Sequence, residues 1–527
     1  MKHVLNYGGV AVRAAGLAAI MLLPFGASAG EVALKSADGT VNLVGEFVEF
    51  KDDNYVIRTA LGDLRIAASR VRCEGADCPV FETASANVTI AGSDTVGLGL
   101  MPLLMSGYGG FLNAEVSVTN TQVENQILAS FIGDGGFGDD LGSILVTSTG
   151  SGDAFKTLLD GSASIGMASR RITPEEARAL RDAQKGNMVS IEQEHIIAVD
   201  SVVVIVNPSN PLDSISIQDL QRIYSGEVTN WSQLGGADEP IIPMVTGQES
   251  GTTNVFNNRI FGESVIALPP SATMARDLNE VSQSVNDYPG AIGYVGYAFQ
   301  RGAKALTLVN ECGIAVEADP FSAKTEEYTL GRRLYLYNTS DADEATKKFI
   351  EFTQAKEADA VIAKAGFIDL GIKERAQSMD SARARTLLTA KVDDFEGNVI
   401  REMLAAMTES SRLSTTFRFR LGSSSLDERG VADMARLVDY LSTAPQGTKV
   451  TMVGFTDDIG AFESNRTLSI ERAQQTVAEL KAAGGSRLSG IEFEALGFGD
   501  IAPSACNSSE PGRAINRRVE VWINTGG

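Results

Sequence analysis

The sequence predicts an α/β protein with a small β module ahead of its main body and a smaller α+β unit behind it. Three observations lead there. Residues 31–83 hold only short strand-like runs split by turns, from Val88 to about Ile372 strands alternate with helices, and after residue 396 the alternation resumes on a shorter scale. With 527 residues and roughly 100 to 200 residues per folding unit, about three units are expected. The expected boundaries are 30–85 for the β module, 86–372 for the central unit, 373–395 for a polar linker or bridging helix, and 396–527 for the last unit.

The first 29 residues read as an export signal. Lys2 and Arg13 precede an apolar stretch from Ala14 to Phe25, which ends at the small-residue site Ala27-Ser28-Ala29. A dozen apolar residues fall short of the ~20 needed to span a bilayer, so cleavage after Ala29 is expected rather than anchoring. Losing Lys2 and Arg13 takes the net charge from −22 to −24. That charge repels nucleic acid and anionic lipid, which argues against a nucleic-acid partner. Only His3 and His195 exist, so a His-rich metal site is not expected. The four cysteines suit an oxidising compartment and two bridges among three possible connectivities. Cys73 and Cys78 enclose a short loop and read as the local pair, leaving Cys312 and Cys506 to join distant parts of the chain.

In the β module, the runs Val41–Val44, Phe47–Phe50 and Tyr55–Arg58 are separated by Asp52-Asp53-Asn54 and, at the far end, Leu61-Gly62-Asp63. Packing or docking is the role such a module suggests. In the central unit three motifs place hydroxyls and glycines where a strand feeds a helix: Gly92-Ser93-Asp94-Thr95-Val96, Ser148-Thr149-Gly150-Ser151-Gly152 and Glu249-Ser250-Gly251-Thr252-Thr253. Helix N-termini carry unpaired N–H groups and partial positive charge, so each motif suits an oxyanion, although each alone also suits a plain helix cap. Gly133-Asp134-Gly135-Gly136-Phe137-Gly138 has the spacing of a dinucleotide fingerprint but leads into Asp139-Asp140 and a strand-like run, so it reads as a loop and no cofactor is expected. His195 reads as a packing or surface residue rather than a base.

With Ile165-Gly166-Met167-Ala168-Ser169-Arg170, Ile223-Tyr224-Ser225-Gly226, Gly290-Ala291-Ile292-Gly293-Tyr294 and Tyr328 to Tyr335 following in order, residues 88–372 resemble the periplasmic phosphate-binding receptors of ABC transporters. The resemblance implies a two-lobed periplasmic binding protein fold that closes on phosphate or a similar small oxyanion. Carried over by motif, the contacts are Thr95 with the N–H of Val96, Ser151, Ser169, Ser250, Gly251 and Thr252. An ABC transporter or an envelope sensor is the partner such a receptor implies. Two departures stand out: Ser169 replaces a commonly acidic position, and Thr246-Gly247-Gln248 stands where an arginine is common. Arg170 is the candidate substitute, with solvent as its other destination.

In the last unit a carboxylate ends a strand at Gly454-Phe455-Thr456-Asp457, and Asn465, Leu468 and Arg472 recur at i, i+3 and i+7 on the following helix. A carboxylate beside a guanidinium suits a zwitterion, the acid taking an ammonium and the arginine a carboxylate, while a plain ion pair between Asp457 and Arg472 is the structural alternative. Together with Leu496-Gly497-Phe498-Gly499 and Asn516-Arg517-Arg518-Val519-Glu520, these residues resemble the OmpA-like peptidoglycan-binding domain. The resemblance implies attachment to the diaminopimelate of wall peptides through Asp457 and Arg472, supported by Asn465, Leu468 and Arg518. The whole then reads as a non-enzymatic, periplasmic solute receptor moored to peptidoglycan near the outer membrane. The alternative from another class is a structural envelope protein whose receptor half is a spacer. No Gly-x-Ser-x-Gly elbow, nucleophile and base pair or metal cluster supports a hydrolase.

Overall fold

The computed structural model describes residues 31–35, 41–51, 54–67, 71–75, 78, 86–247, 250–262, 267–390, 392–419 and 428–524. The export signal over 1–29 lies outside them, as do Gln248, Glu249 and Arg420–Gly422. The chain divides into two units, one ending at Thr83 and one beginning at Ala84.

The first unit is a five-stranded antiparallel sheet. The runs at Val41–Val44 and Phe47–Phe50 form one strand, Asn42–Lys51, with an irregularity between Phe47 and Glu49 where it pairs with Asn54–Thr59. Alternation places Val32, Leu34, Tyr55 and Ile57 inside. The Cys73–Cys78 disulfide closes one end of the sheet.

The second unit begins as two α/β lobes sharing a continuous sheet. In lobe one, Val88–Gly92 lies between the parallel strands Ile165–Ala168 and Asp140–Ser148. In lobe two, Ala291–Gly296 pairs parallel with Ile242–Val245. The strand Glu194–Val206 belongs to both: its first half pairs antiparallel with Gly331–Asn338, and Val202–Val206 pair with Ala291–Gly296. Twelve of its thirteen residues are buried, which suits a central strand covered on both faces. Each lobe has its own apolar core, around Met101, Leu104 and Phe349 in one and around Trp231, Phe256 and Tyr294 in the other. His195 is buried in the long strand and its Nε2 lies 2.7 Å from Asn338 Oδ1. Burial pushes its pKa down, so it is a neutral packing residue. Gly133–Phe137 is a tight turn in the hairpin joining two strands, with Asp134 and Gly135 both left-handed, and no phosphate-cradling helix follows it.

The C-terminal sheet runs in the order Glu374–Ala376, Ser411–Arg418, Arg518–Asn524, Lys449–Phe455 and Glu492–Gly497. Residues 373–395, read as a polar linker or bridging helix, contain the edge strand Glu374–Ala376 and the helix Ala382–Thr389, whose Ala384 and Leu387 are buried against Val399, Met403 and Trp522. The helix Glu428–Ser442 buries Met434, Leu437, Val438 and Leu441, a 3.6-period stripe, against the sheet.

This sheet docks onto the receptor lobes through charge. Arg412 donates to Glu327 at 3.0 Å and lies 3.1 Å from Glu520, while Arg383 donates to both Glu520 oxygens. Cys312 of lobe two is bridged to Cys506 of the C-terminal unit. Burial raises the pKa of Glu327, but the charges of Arg412 and Arg383 outweigh it and take the value down to about 2. A carboxylate with a depressed folded pKa contributes stability that is complete above its unfolded pKa near 4.5 and is lost as pH falls toward 2. Glu327→Ala is expected to cost about 3–5 kcal/mol in denaturant unfolding at pH 7, because it leaves the buried guanidiniums of Arg383 and Arg412 crowded on the one remaining carboxylate, Glu520, and to flatten stability over that acidic window.

Candidate functional site

The three cap motifs converge where the lobes meet. Ser93 caps the short helix Asp94–Gly99, and its Oγ accepts from the Val96 N–H at 3.4 Å. That N–H is therefore already engaged, which departs from its expected role as a ligand donor. Ser151 opens the helix Ser151–Asp160, where its Oγ accepts from the Ser169 N–H at 3.0 Å and lies 3.1 Å from the Ser169 Oγ. Ser250 caps the helix Gly251–Ile260 of lobe two. A Cβ on Gly251 would stand 2.2 Å from Ser169 Oγ and 3.7 Å from Ser151 Oγ, so the lobes are closed there and only glycine permits the approach.

An arginine that was not expected here completes the cluster. Arg332 lies at the start of Gly331–Asn338, directly opposite Asp200 in the antiparallel register. Its Nε and Nη2 donate to Asp200 Oδ2 at 2.9 and 2.7 Å, and Nη2 also reaches Thr252 Oγ1 at 3.0 Å and Thr95 Oγ1 at 3.4 Å. The side chain is 3% exposed, and its Nη1 has no hydrogen-bond partner among the described residues; neither does the buried Ser250 Oγ. A guanidinium N–H left unsatisfied in a ring of hydroxyls is costly unless an acceptor enters. Arg170, the expected substitute cation, is instead held by both oxygens of Glu176 at 2.7 and 2.8 Å, with its guanidinium over the Phe155 ring. The sequence signal for Arg332 was Asp200, an acid in the middle of a mostly apolar strand, whose burial demands a cation.

A second cluster lies in the C-terminal unit. Asp457 follows the strand Lys449–Phe455 and is 5% exposed, with Oδ2 accepting from Arg517 Nη1 at 2.8 Å. Asn465 Nδ2 donates to the Asp457 carbonyl at 3.2 Å, so Asn465 braces this turn. The long helix Phe462–Gly484 approaches the strand closely because position 454 is glycine: a Cβ there would meet the Ser469 carbonyl at 1.9 Å. Arg472 is 1% exposed and packs over the Phe419 ring. Burial lowers its pKa, the Arg517 charge lowers it further, and Asp457 opposes both, which sets acid and guanidinium in one electrostatic neighbourhood. Leu468 is half-buried on the same helix.

Arg518 does not reach this cluster. It shares a strand face with Glu520 and Trp522, hydrogen-bonds Glu520 and the Ala502 carbonyl, and stacks on Phe455 in the interior. Its neighbour Arg517 is the residue at Asp457. Asp500, also not anticipated, lies near Asp457 and Asp458; burial and those two charges raise its pKa, and its Oδ1 has no hydrogen-bond partner among the described residues.

Residues 82–357 match the PBP superfamily domain, and residues 418–517 match the OmpA family. Protein SphX of Synechocystis is 30% identical over 268 residues, covering 48% of this chain and 76% of that protein. The phosphate-binding protein PstS of Bacillus subtilis is 25% identical over 226 residues, covering 43% and 70%. Outer membrane porin F of Pseudomonas aeruginosa is 35% identical over 118 residues, covering 22% of this chain and a third (33%) of that protein.

Because Gly251 sits against Ser169, Gly251→Ala is expected to hold the lobes apart and raise the radius of gyration in small-angle scattering. An unchanged profile would mean that the Ser169 side chain yields instead.

Proposed function

Since the chain belongs to the PBP superfamily and carries an OmpA-family domain, we propose that it is an envelope receptor for phosphate or a similar oxyanion, moored noncovalently to peptidoglycan. Both families are binding rather than catalytic, and the chain acts by binding. The observation that carries the ligand reading is Arg332: a buried guanidinium at the lobe junction, flanked by Thr95 and Thr252, with an N–H that no described residue accepts. Asp200 fixes one edge of its fork, leaving the other edge for an anion. Ser151, Ser250 and the backbone at Gly251 add neutral donors at helix starts, Ser169 adds one at the end of the strand Ile165–Ala168, and neutral donors select a dehydrated oxyanion without neutralising it. The name of the Bacillus relative, a phosphate-binding protein, supports phosphate as the first ligand to try. An ABC transporter or an envelope sensor is the partner to which such a receptor would report.

For the wall contact, Asp457 and Arg472 are the proposed clamps for the two ends of a diaminopimelate side chain. Arg517 stands on Asp457 and must yield part of that carboxylate when an ammonium arrives. Asp500 is the nearby acid that can share the ammonium. This reading puts the protein in the periplasm, associated with peptidoglycan and the outer membrane.

Calorimetry with phosphate, sulfate and small carboxylates tests the receptor. Arg332→Lys keeps a charge facing Asp200 but loses the fork, so phosphate affinity should fall about 10- to 100-fold, the weight of ~1.5–3 kcal/mol for a charged hydrogen bond. Heat from none of these ions would leave the receptor half as a spacer. On isolated cell-wall sacculi, the Asp457→Ala, Arg472→Ala double variant should lose retention that free diaminopimelate also competes away; equal retention would reject the clamp.

A further inference from the structure

A cavity of about 700 Å3 opens between the lobes and the C-terminal unit, but six of the seven arginines on its wall are already paired with the protein's own carboxylates. A more open surface lies beside the proposed wall clamp. The helix Asp394–Thr408, which precedes the OmpA-family match, buries Val399, Met403 and Met407 against Val453, Phe455 and Trp522. Its first turn carries Phe395, 42% exposed and edge-on to Phe462, with ring centroids 5.9 Å apart. Phe462 opens the helix that carries Arg472, and the next turn of that helix faces two ways. Asn465 braces Asp457, while Arg466 stands 5.7 Å from the centre of the Phe395 ring and is held by Glu402 at 2.6 Å. A Cβ on Gly499 would stand 2.9 Å from the Phe462 ring, so the aromatic pair begins one residue from Asp500. Ile459 is exposed in the loop between Asp457 and Phe462, and its N–H donates to Asp457 Oδ1 at 3.2 Å, which joins this apolar ledge to the clamp.

We infer that the wall site extends past the diaminopimelate clamp onto this ledge, where Phe395 and Phe462 stack on a neutral sugar ring of the peptidoglycan glycan strand. This rests on the wall reading proposed above and deepens it. Acids flank the apolar residues in sequence, Asp394 before Phe395, Asp458 before Ile459 and Glu463 after Phe462, and all three are exposed. Such a surface repels an anionic segment of the stem peptide. A sugar ring fits both halves of its chemistry, since its C–H face covers an aromatic ring and its hydroxyls donate to carboxylates. The sugar arrives on the same polymer as the diaminopimelate, so clamp and ledge are two linked contacts and each raises the effective concentration of the other's ligand. A helix outside the OmpA-family match thereby enlarges the anchor.

The test titrates the full exported chain by calorimetry with the free stem tripeptide ending in diaminopimelate, and with the same peptide joined to its N-acetylglucosaminyl-N-acetylmuramyl disaccharide. The disaccharide-peptide should bind at least about tenfold more tightly than the free peptide, and Phe395→Ala should remove about that factor for the disaccharide-peptide alone. Phe395→Trp keeps an aromatic platform, so it should retain the factor, and its indole fluorescence should respond to the disaccharide-peptide and not to the free peptide. Equal affinity for the two ligands, a Phe395→Ala loss shared by both, or the same gain from a sugar-free stem lengthened by two D-alanines would overturn the ledge while leaving the clamp standing. Binding of neither ligand would overturn both readings.

Discussion

The ion pair between Asp200 and Arg332 is the constraint on which the receptor half depends. The two residues face one another in register at the point where Glu194–Val206 passes from one lobe to the other. Both are nearly inaccessible, at 0% and 3% side-chain exposure, so neither charge could be buried without its partner. The Tyr297 N–H occupies the other Asp200 oxygen at 3.1 Å, and a Cβ on Gly296 would come within 3.0 Å of the carboxylate. With the acid so confined, the guanidinium has one place to go. It points into the junction between Thr95 and Thr252, and the hinge itself therefore supplies the positive charge of the cleft.

The same economy of charge recurs at the junction with the C-terminal unit. Glu327 of the receptor and Glu520 of the final strand share Arg383 and Arg412, and Arg518 completes the cluster from the interior side. Buried networks of this kind contribute geometric specificity more than net stability, because desolvation offsets much of the attraction. Their effect here is to set the orientation of the C-terminal sheet against the lobes, with the Cys312–Cys506 bridge holding the same interface covalently. Arg517 stands where these arrangements meet, lining the large cavity with one side and holding Asp457 with a guanidinium nitrogen.

Much of this architecture was legible in the chain. Strand and helix alternation follows from apolar periodicity, which local packing obeys: the helix Ser151–Asp160 and the strand Lys449–Phe455 fall where the pattern puts them. The hydroxyl and glycine motifs were legible for the same reason, since capping is a local affair between neighbours in sequence. The choice between Arg517 and Arg518 was not. Adjacent residues at a strand entrance point to opposite sides, and the turn that leads in from the helix Glu510–Asn516 decides which one reaches Asp457. Within 373–395 the edge strand Glu374–Ala376 was not legible, because its pairing partner, Ser411–Arg418, is remote in sequence.

By itself, the sequence determined the order of units, the cap motifs, the proximity of Cys73 to Cys78 along the chain, and the carboxylate and guanidinium of the C-terminal cluster. These depend on neighbours or on short periodic spacings. Only the tertiary structure decided that Arg332 rather than Arg170 supplies the cation, that Gly251 closes on Ser169, and that arginines from three parts of the chain line one cavity. Each of those joins residues far apart in sequence, and such contacts are selected by the folding of whole lobes against one another rather than by any local preference of the backbone.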